Sequence, residues 1–169
     1  METYKAIITR RSIRTFVDKP VDDALLEKII KAGMYAPSAR NMQPWHFILC
    51  TRRDVLDKIP NAHPHAKMCY EAQAAIIVCG DLSIEPSAEY TAINCSAATQ
   101  NMLLAAHELG LGSVWLGVYP RPERVEGITK LFLLPHGIIP VSIIALGYPG
   151  EEKGIPDRFI KERIHLNKW

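Results

Sequence analysis

Arg10-Arg11-Ser12-Ile13-Arg14 places three guanidinium groups and a hydroxyl within five residues. A guanidinium fork matches the oxygens of a phosphate or carboxylate two at a time, and a serine hydroxyl adds a further donor. The stretch therefore has the chemistry of an anion cradle. The same cations also complement the dipole of a short preceding helix without binding anything, so a ligand-free reading competes. A second stretch, Pro37-Ser38-Ala39-Arg40-Asn41-Met42-Gln43-Pro44-Trp45, is a polar loop with proline near both ends. Ser38, Asn41 and Gln43 carry donors and acceptors suited to a planar heterocycle or a polyol. The competing reading is a turn that spends those groups on its own backbone. A third stretch, Gly112 to Tyr119, is a strand framed by glycines, where a backbone or a flat ligand can approach closely; a bulge or sheet edge is the alternative.

The elements that position these stretches follow from periodicity. Residues 3–10 read as a short helix with Tyr4, Ile7 and Ile8 on one face. Asp22 is a suitable N-cap for a helix over 23–35, where Leu25, Leu26, Ile29 and Ile30 recur at helical spacing. A strand over 45–51 follows the polar loop, then a short helix over 54–59, a loop over 61–65 and a helical turn or two over 66–72. Ala74 to Gly80 reads as a buried strand. The longest helix runs from about 87 to 109 and stops at Gly110. Apolar side chains occupy most of its circumference, which predicts burial on more than one side, with a second subunit as the cover; a central helix within a monomer is the alternative. Pro122 opens a helix over 122–132, and 138–146 is the last strand. The tail, 151–169, is rich in charge but carries Phe159, Ile160, Ile164, Leu166 and Trp169, spaced anchors that call for a surface to wrap.

The 169 residues, 48% hydrophobic and 22% charged, predict one globular domain spanning 1–169. A formal net charge of +2 gives no bulk attraction for nucleic acid or a membrane surface. No apolar run reaches the roughly 18–20 residues of a spanning helix, and Met1 to Thr9 has no apolar core of a signal peptide. Cys50, Cys69, Cys79 and Cys95 are far apart, which predicts free thiols and a cytoplasmic location. His63 and His65 flank Pro64; with no further ligand at metal spacing, they read as a surface turn.

Taken together, "RRSIRTF" at 10–16, "PSARNMQPWHF" at 37–47 and "GLGSVWLGVYP" at 110–120 resemble the nitroreductase family of FMN-dependent oxidoreductases, in its short form, over essentially the whole chain. The tail "GIPDRFIKERIHLNKW" is similar to the basic ending of that family. The resemblance implies an α+β fold, a three-layer α/β/α sandwich with a mixed, mainly antiparallel central sheet. It also implies a homodimer in which the 151–169 tails embrace the partner and two FMN molecules lie between the chains. By similarity, Arg10 and Ser12 hold the FMN phosphate, with Arg11 nearby and Arg158 reaching in from the tail. Arg14 faces the pyrimidine edge of the flavin and tunes it. Pro37, Ser38, Ala39, Asn41 and Gln43 contact the flavin from the other subunit. Val114, Trp115, Leu116 and Gly117 lie along the isoalloxazine, with backbone amides addressing its N5. Ala39 stands where many members have a second serine, Leu116 where some have an acidic residue, and the long helical insertion of larger members is missing.

The implied activity is electron transfer from NAD(P)H through FMN to a nitroaromatic, quinone or flavin acceptor in two half-reactions. The flavin carries that chemistry, so no catalytic side chain and no metal is expected. Two alternatives stay open: a specialised flavin reaction such as dehalogenation or flavin fragmentation, and a non-catalytic flavin-binding module for sensing or storage. The choice of NADH or NADPH, the physiological acceptor and the oxygen sensitivity are not encoded in these motifs.

Overall fold

In the computed structural model, which describes residues 2–169, a four-stranded sheet divides two helical layers. Its strands are β1 (Trp45–Cys50), β2 (Ala74–Asp81), β3 (Gly112–Gly117) and β4 (Ile138–Gly147), in the order β1-β2-β4-β3. All three strand pairings are antiparallel. The parallel component of the expected mixed sheet is a single bridge, Ser12 to Ser113, outside the named strands.

The central strands are apolar on both faces because both faces are covered. In β2, Ala75, Ile77 and Cys79 enter one core cluster, and Ala74, Ile76 and Val78 enter the other. Ile143 and Ala145 of β4 join the first; Ile144 and Leu146 join the second. Helices α2 (Asp23–Met34) and α5 (Ala88–Glu108) cover the second face, contributing Leu26, Ile29, Cys95, Ala98 and Met102. The first is covered by α3 (Arg53–Leu56), α4 (Ile59–Ala62) and α6 (Pro122–Phe132), through Leu56, Ile59 and Ile128. Truncating any one of these large buried side chains to alanine costs about 2–5 kcal/mol. The result is the α/β/α sandwich. α1 (Thr3–Thr9) lies outside these layers and contacts α5.

Local chemistry sets most boundaries. The Asp22 carboxylate accepts the Ala24 N–H at 2.7 Å, a cap contributing about 1 kcal/mol. Pro122 lies in the first turn of α6, where its missing N–H is not needed. Three expectations are corrected. The single helix over 54–59 is two short helices, because Pro60 suits the first turn of a new helix and not the interior of an old one. β3 ends at Gly117 rather than Tyr119; the N–H groups of Val118 and Tyr119 both turn to the Val141 carbonyl. The His63–His65 segment is not simply a surface turn: His63 is 2% exposed, while His65 is exposed.

The long helix buries one stripe within the chain, Thr91, Asn94, Cys95, Ala98, Thr99, Met102, Leu103 and Ala106. Tyr90 and Ile93 on its other side remain exposed. Phe159, Ile164, Leu166 and Trp169 of the tail are exposed as well, so the chain's own domain does not cover the anchors.

Candidate functional site

The arginine stretch runs beside β3. The Ile13 N–H donates to the Ser113 carbonyl at 3.0 Å, and the Ile13 side chain packs directly over Gly112. This contact brings Arg10–Arg14 and Val114–Gly117 to one flank of the sheet. Arg10 is partly buried, and its guanidinium is held below its ordinary value, first by burial, then by the charges of Arg158 and Arg11. An anion placed among these cations would relieve their repulsion. A cleft of about 420 Å³ adjoins the cluster, lined by Arg10, Arg11, Ile13, His107 and Ser113 among others. His107 at the end of α5 is also held below its usual range, by burial and then by Arg10, partly offset by Glu108.

The start of the tail straps this stretch. Glu151 accepts the Arg14 N–H at 2.6 Å, Lys153 donates to the Ser12 carbonyl at 2.8 Å, and Arg11 donates to the Gly154 carbonyl. Arg11 is therefore engaged by the tail, whereas the Arg14 side chain is exposed.

In β3, strand alternation sends the carbonyls of Ser113 and Gly117 to the same outer edge, away from β4. The arginine stretch covers that edge at Ser113 and not beyond. Val114 and Leu116 point their side chains into the core and, by the same alternation, their backbone N–H and C=O groups toward β4; Trp115 is half-buried on the other face. A Cβ placed on Gly117 would meet nothing within 4 Å, so open space lies beside it.

The polar loop is held apart from this flank. It precedes β1, and β1 and β3 are opposite edges of the sheet, three strand spacings or about 14 Å apart. The pairings Trp45 with Gly80 and Gly117 with Ser142 put the loop and Gly117 at the same end of the sheet, but on opposite sides. Arg40, Asn41 and Gln43 have φ of 52°, 56° and 49°, a left-handed conformation that costs roughly 1–2 kcal/mol per non-glycine residue. Side chains hold it there. Ser38 accepts the Gln43 N–H at 3.0 Å, and Gln43 donates through Nε2 to the Asn41 side-chain oxygen at 2.8 Å. Arg40 donates to Glu85 at 2.9 Å, and Asn94 accepts the Ala39 N–H at 3.0 Å. The Ser87 N–H and Arg40 hold the Glu85 carboxyl below the usual carboxylate range. Acceptors of Ser38 and Asn41 are thus spent on the turn, while the Ser38 hydroxyl proton and the Asn41 amide group stay available to a ligand.

Asn94, Glu85, His63 and Arg124 were not legible as site residues. Their bonds all go to segments distant in sequence or to backbone, which no local pattern marks. The four thiols are buried and pushed up, to about 11 for Cys50 and about 12 for Cys69, Cys79 and Cys95, which makes them unreactive. Among the described residues no group of three or more His, Cys, Asp or Glu side chains is placed to hold a metal. No helix among them is long and apolar enough to cross a membrane.

A two-layered helical cover on an antiparallel sheet, with an arginine cluster flanking the outer strand edge, defines a small α+β protein with the chemistry of an anion cradle. The family model described as "Nitroreductase family" matches residues 7–77 and 61–148, and the chain belongs to that family. A relative from Methanothermobacter thermautotrophicus, "Putative NADH dehydrogenase/NAD(P)H nitroreductase", is 52% identical over 169 residues, covering 100% of this chain and 88% of the relative. The structure of an FMN-dependent nitroreductase from Clostridium difficile R20291 superposes with a TM-score of 0.91 at 27% identity, covering 98% of this chain and 99% of that one. A "putative nitroreductase in complex with fmn" from Desulfovibrio desulfuricans gives a TM-score of 0.86 at 30% identity, covering 100% and 98%.

Proposed function

We propose that this chain is an FMN-dependent oxidoreductase that uses NAD(P)H and works in the cytoplasm as a homodimer. The observation that carries the reading is the convergence, on one flank of β3, of the Arg10–Arg11–Arg158 cluster with the open backbone edge ending at Gly117. A phosphate satisfies the cluster, and a flat ring suits an edge with open space beside it. The relatives named above, one FMN-dependent and one crystallised with FMN, support the same cofactor.

Arg10, Ser12 and Arg158 hold the phosphate, with Arg11 tying the tail to the cradle. Arg14 presents a cation to the pyrimidine edge. Of Val114, Trp115, Leu116 and Gly117 along the ring, Trp115 and Gly117 present backbone groups at the outer edge and Val114 and Leu116 anchor the strand to β4 and the core. Pro37, Ser38, Ala39, Asn41 and Gln43 cannot reach that ring from their own chain, being on the far edge of the sheet, and serve the partner's site. The exposed apolar side chains of α1, α5 and the tail are the surface that such a dimer covers. FMN held there would supply the redox chemistry, taking a hydride from NAD(P)H and, in a second half-reaction, delivering electrons to a nitroaromatic, quinone or flavin. The side chains bind, orient and tune; none is required to transfer a proton.

Titration of apoprotein with FMN tests the reading. Arg10→Ala is expected to weaken binding by about 1.5–3 kcal/mol, the scale of a hydrogen bond to a charged group. A chain that takes up no FMN, or an Arg10→Ala variant that binds it as tightly as the wild type, contradicts it.

A further inference from the structure

Two donors from different elements converge on one backbone carbonyl. His63, just after α4, lies with Nε2 2.9 Å from the Gly117 oxygen, and Arg124, in the first turn of α6, donates through Nη1 to the same oxygen at 2.9 Å. The histidine tautomer is set by its other nitrogen. The His65 N–H donates to Nδ1 at 3.2 Å, so Nε2 carries the proton and donates. Burial lowers the tendency of His63 to protonate further, which keeps that arrangement. The convergence depends on close packing of α4 on α6: a Cβ on Gly127 would lie 2.9 Å from the Ala62 carbonyl oxygen.

A carbonyl oxygen has two lone pairs, and here both are taken. The Gly117 carbonyl belongs to the outer, ligand-facing edge of β3. Arg124 makes this contact although its Nε is buried without a partner. We infer that His63 and Arg124 are positioning residues for the flavin-facing end of β3: they occupy both lone pairs of the Gly117 carbonyl, so that this position offers a ring its amide N–H alone. The inference rests on the FMN reading above. A donor-only edge suits the central ring nitrogen of a flavin when that nitrogen is an acceptor, as it is in the oxidised ring. A freed carbonyl would instead favour the reduced ring, in which the same nitrogen carries a proton.

The test is the midpoint potential of FMN bound to the full chain, with FMN affinity measured alongside. Removing the His63 donor in His63→Phe is expected to shift the equilibrium about tenfold toward the reduced flavin, about 30 mV more positive for a two-electron couple. His63→Gln, which keeps a side-chain N–H donor, is expected to restore most of the wild-type potential. Should His63→Phe fail to fold, Arg124→Met and Arg124→Gln form the equivalent pair: both lose the charge, and only Met also loses the donor, so Met is expected to be the more positive. A lowered melting temperature with an unchanged potential in the donor-lacking variants is what a purely structural pair gives, and it overturns the inference. A wild-type chain that binds no FMN overturns the parent reading instead, and is seen in the affinity measurement before any variant is made.

Discussion

The chemistry of single residues here is mostly a matter of which lone pairs and charges are already committed. Arg10 is crowded by Arg158 and Arg11, Ser38 accepts from the Gln43 backbone, and the Gly117 carbonyl is saturated by His63 and Arg124. His63 also has a measurable pH signature. Its pKa in the folded chain is lowered, first by burial, so the unfolded chain binds more protons in the window between the lowered value and the ordinary 6.5. Stability therefore rises with pH across that window and is lost as pH falls through it. Urea midpoints of wild type and His63→Gln, measured from pH 7.5 downward, are expected to differ in slope below about pH 6.5. His107 titrates in the same sense, and comparing the two proteins cancels its contribution. Parallel slopes would mean that His63 takes up a proton as readily in the folded chain as in the unfolded one.

Among the elements, what matters is how closely α4 and α6 approach. Gly127 faces the Ala62 backbone, and a methyl group there has no flexible side chain to push aside. Gly127→Ala is expected to destabilise the fold by about 1–3 kcal/mol through overpacking, and to separate His63 from Arg124. Chemical denaturation gives the first effect. The second is checked by the potential of bound FMN, which should move in the direction of His63→Phe. The strands and long helices were legible beforehand because their signals are local: an apolar run for β2 and, apart from Ser142, for β4, helical spacing for α2, glycine after α5. The bounds that differed lie where a tertiary bond or a proline intervened, as at Val118–Tyr119 and Pro60. The arginine cradle, the polar loop and the glycine-framed strand were legible as motifs. The groups that hold them, Asn94 and Glu85 behind the loop and His63 and Arg124 behind Gly117, were not, because the first three act through bonds to distant segments and Arg124 through a backbone carbonyl of the preceding strand, which no sequence pattern marks.

At the scale of the whole molecule, the proposed site has two halves on one chain, and the chain cannot bring them together. The cradle and β3 form one edge of the sheet, the strained loop forms the other, and two strands lie between. Apolar side chains stand exposed on α1, on one side of α5 and along the tail, up to Trp169 at 99% exposure. In the proposed homodimer a second copy would cover such surfaces and supply each cradle with the other chain's loop, so dimerisation and cofactor binding are expected to be inseparable. The most direct measurement of the central claim is the visible absorption spectrum of the protein with FMN, recorded anaerobically before and after adding NADH or NADPH. Expected are the bands of protein-bound flavin, bleached by at least one of the two donors. Flavin bands that neither donor bleaches, or a protein that stays colourless when FMN is supplied, would contradict it.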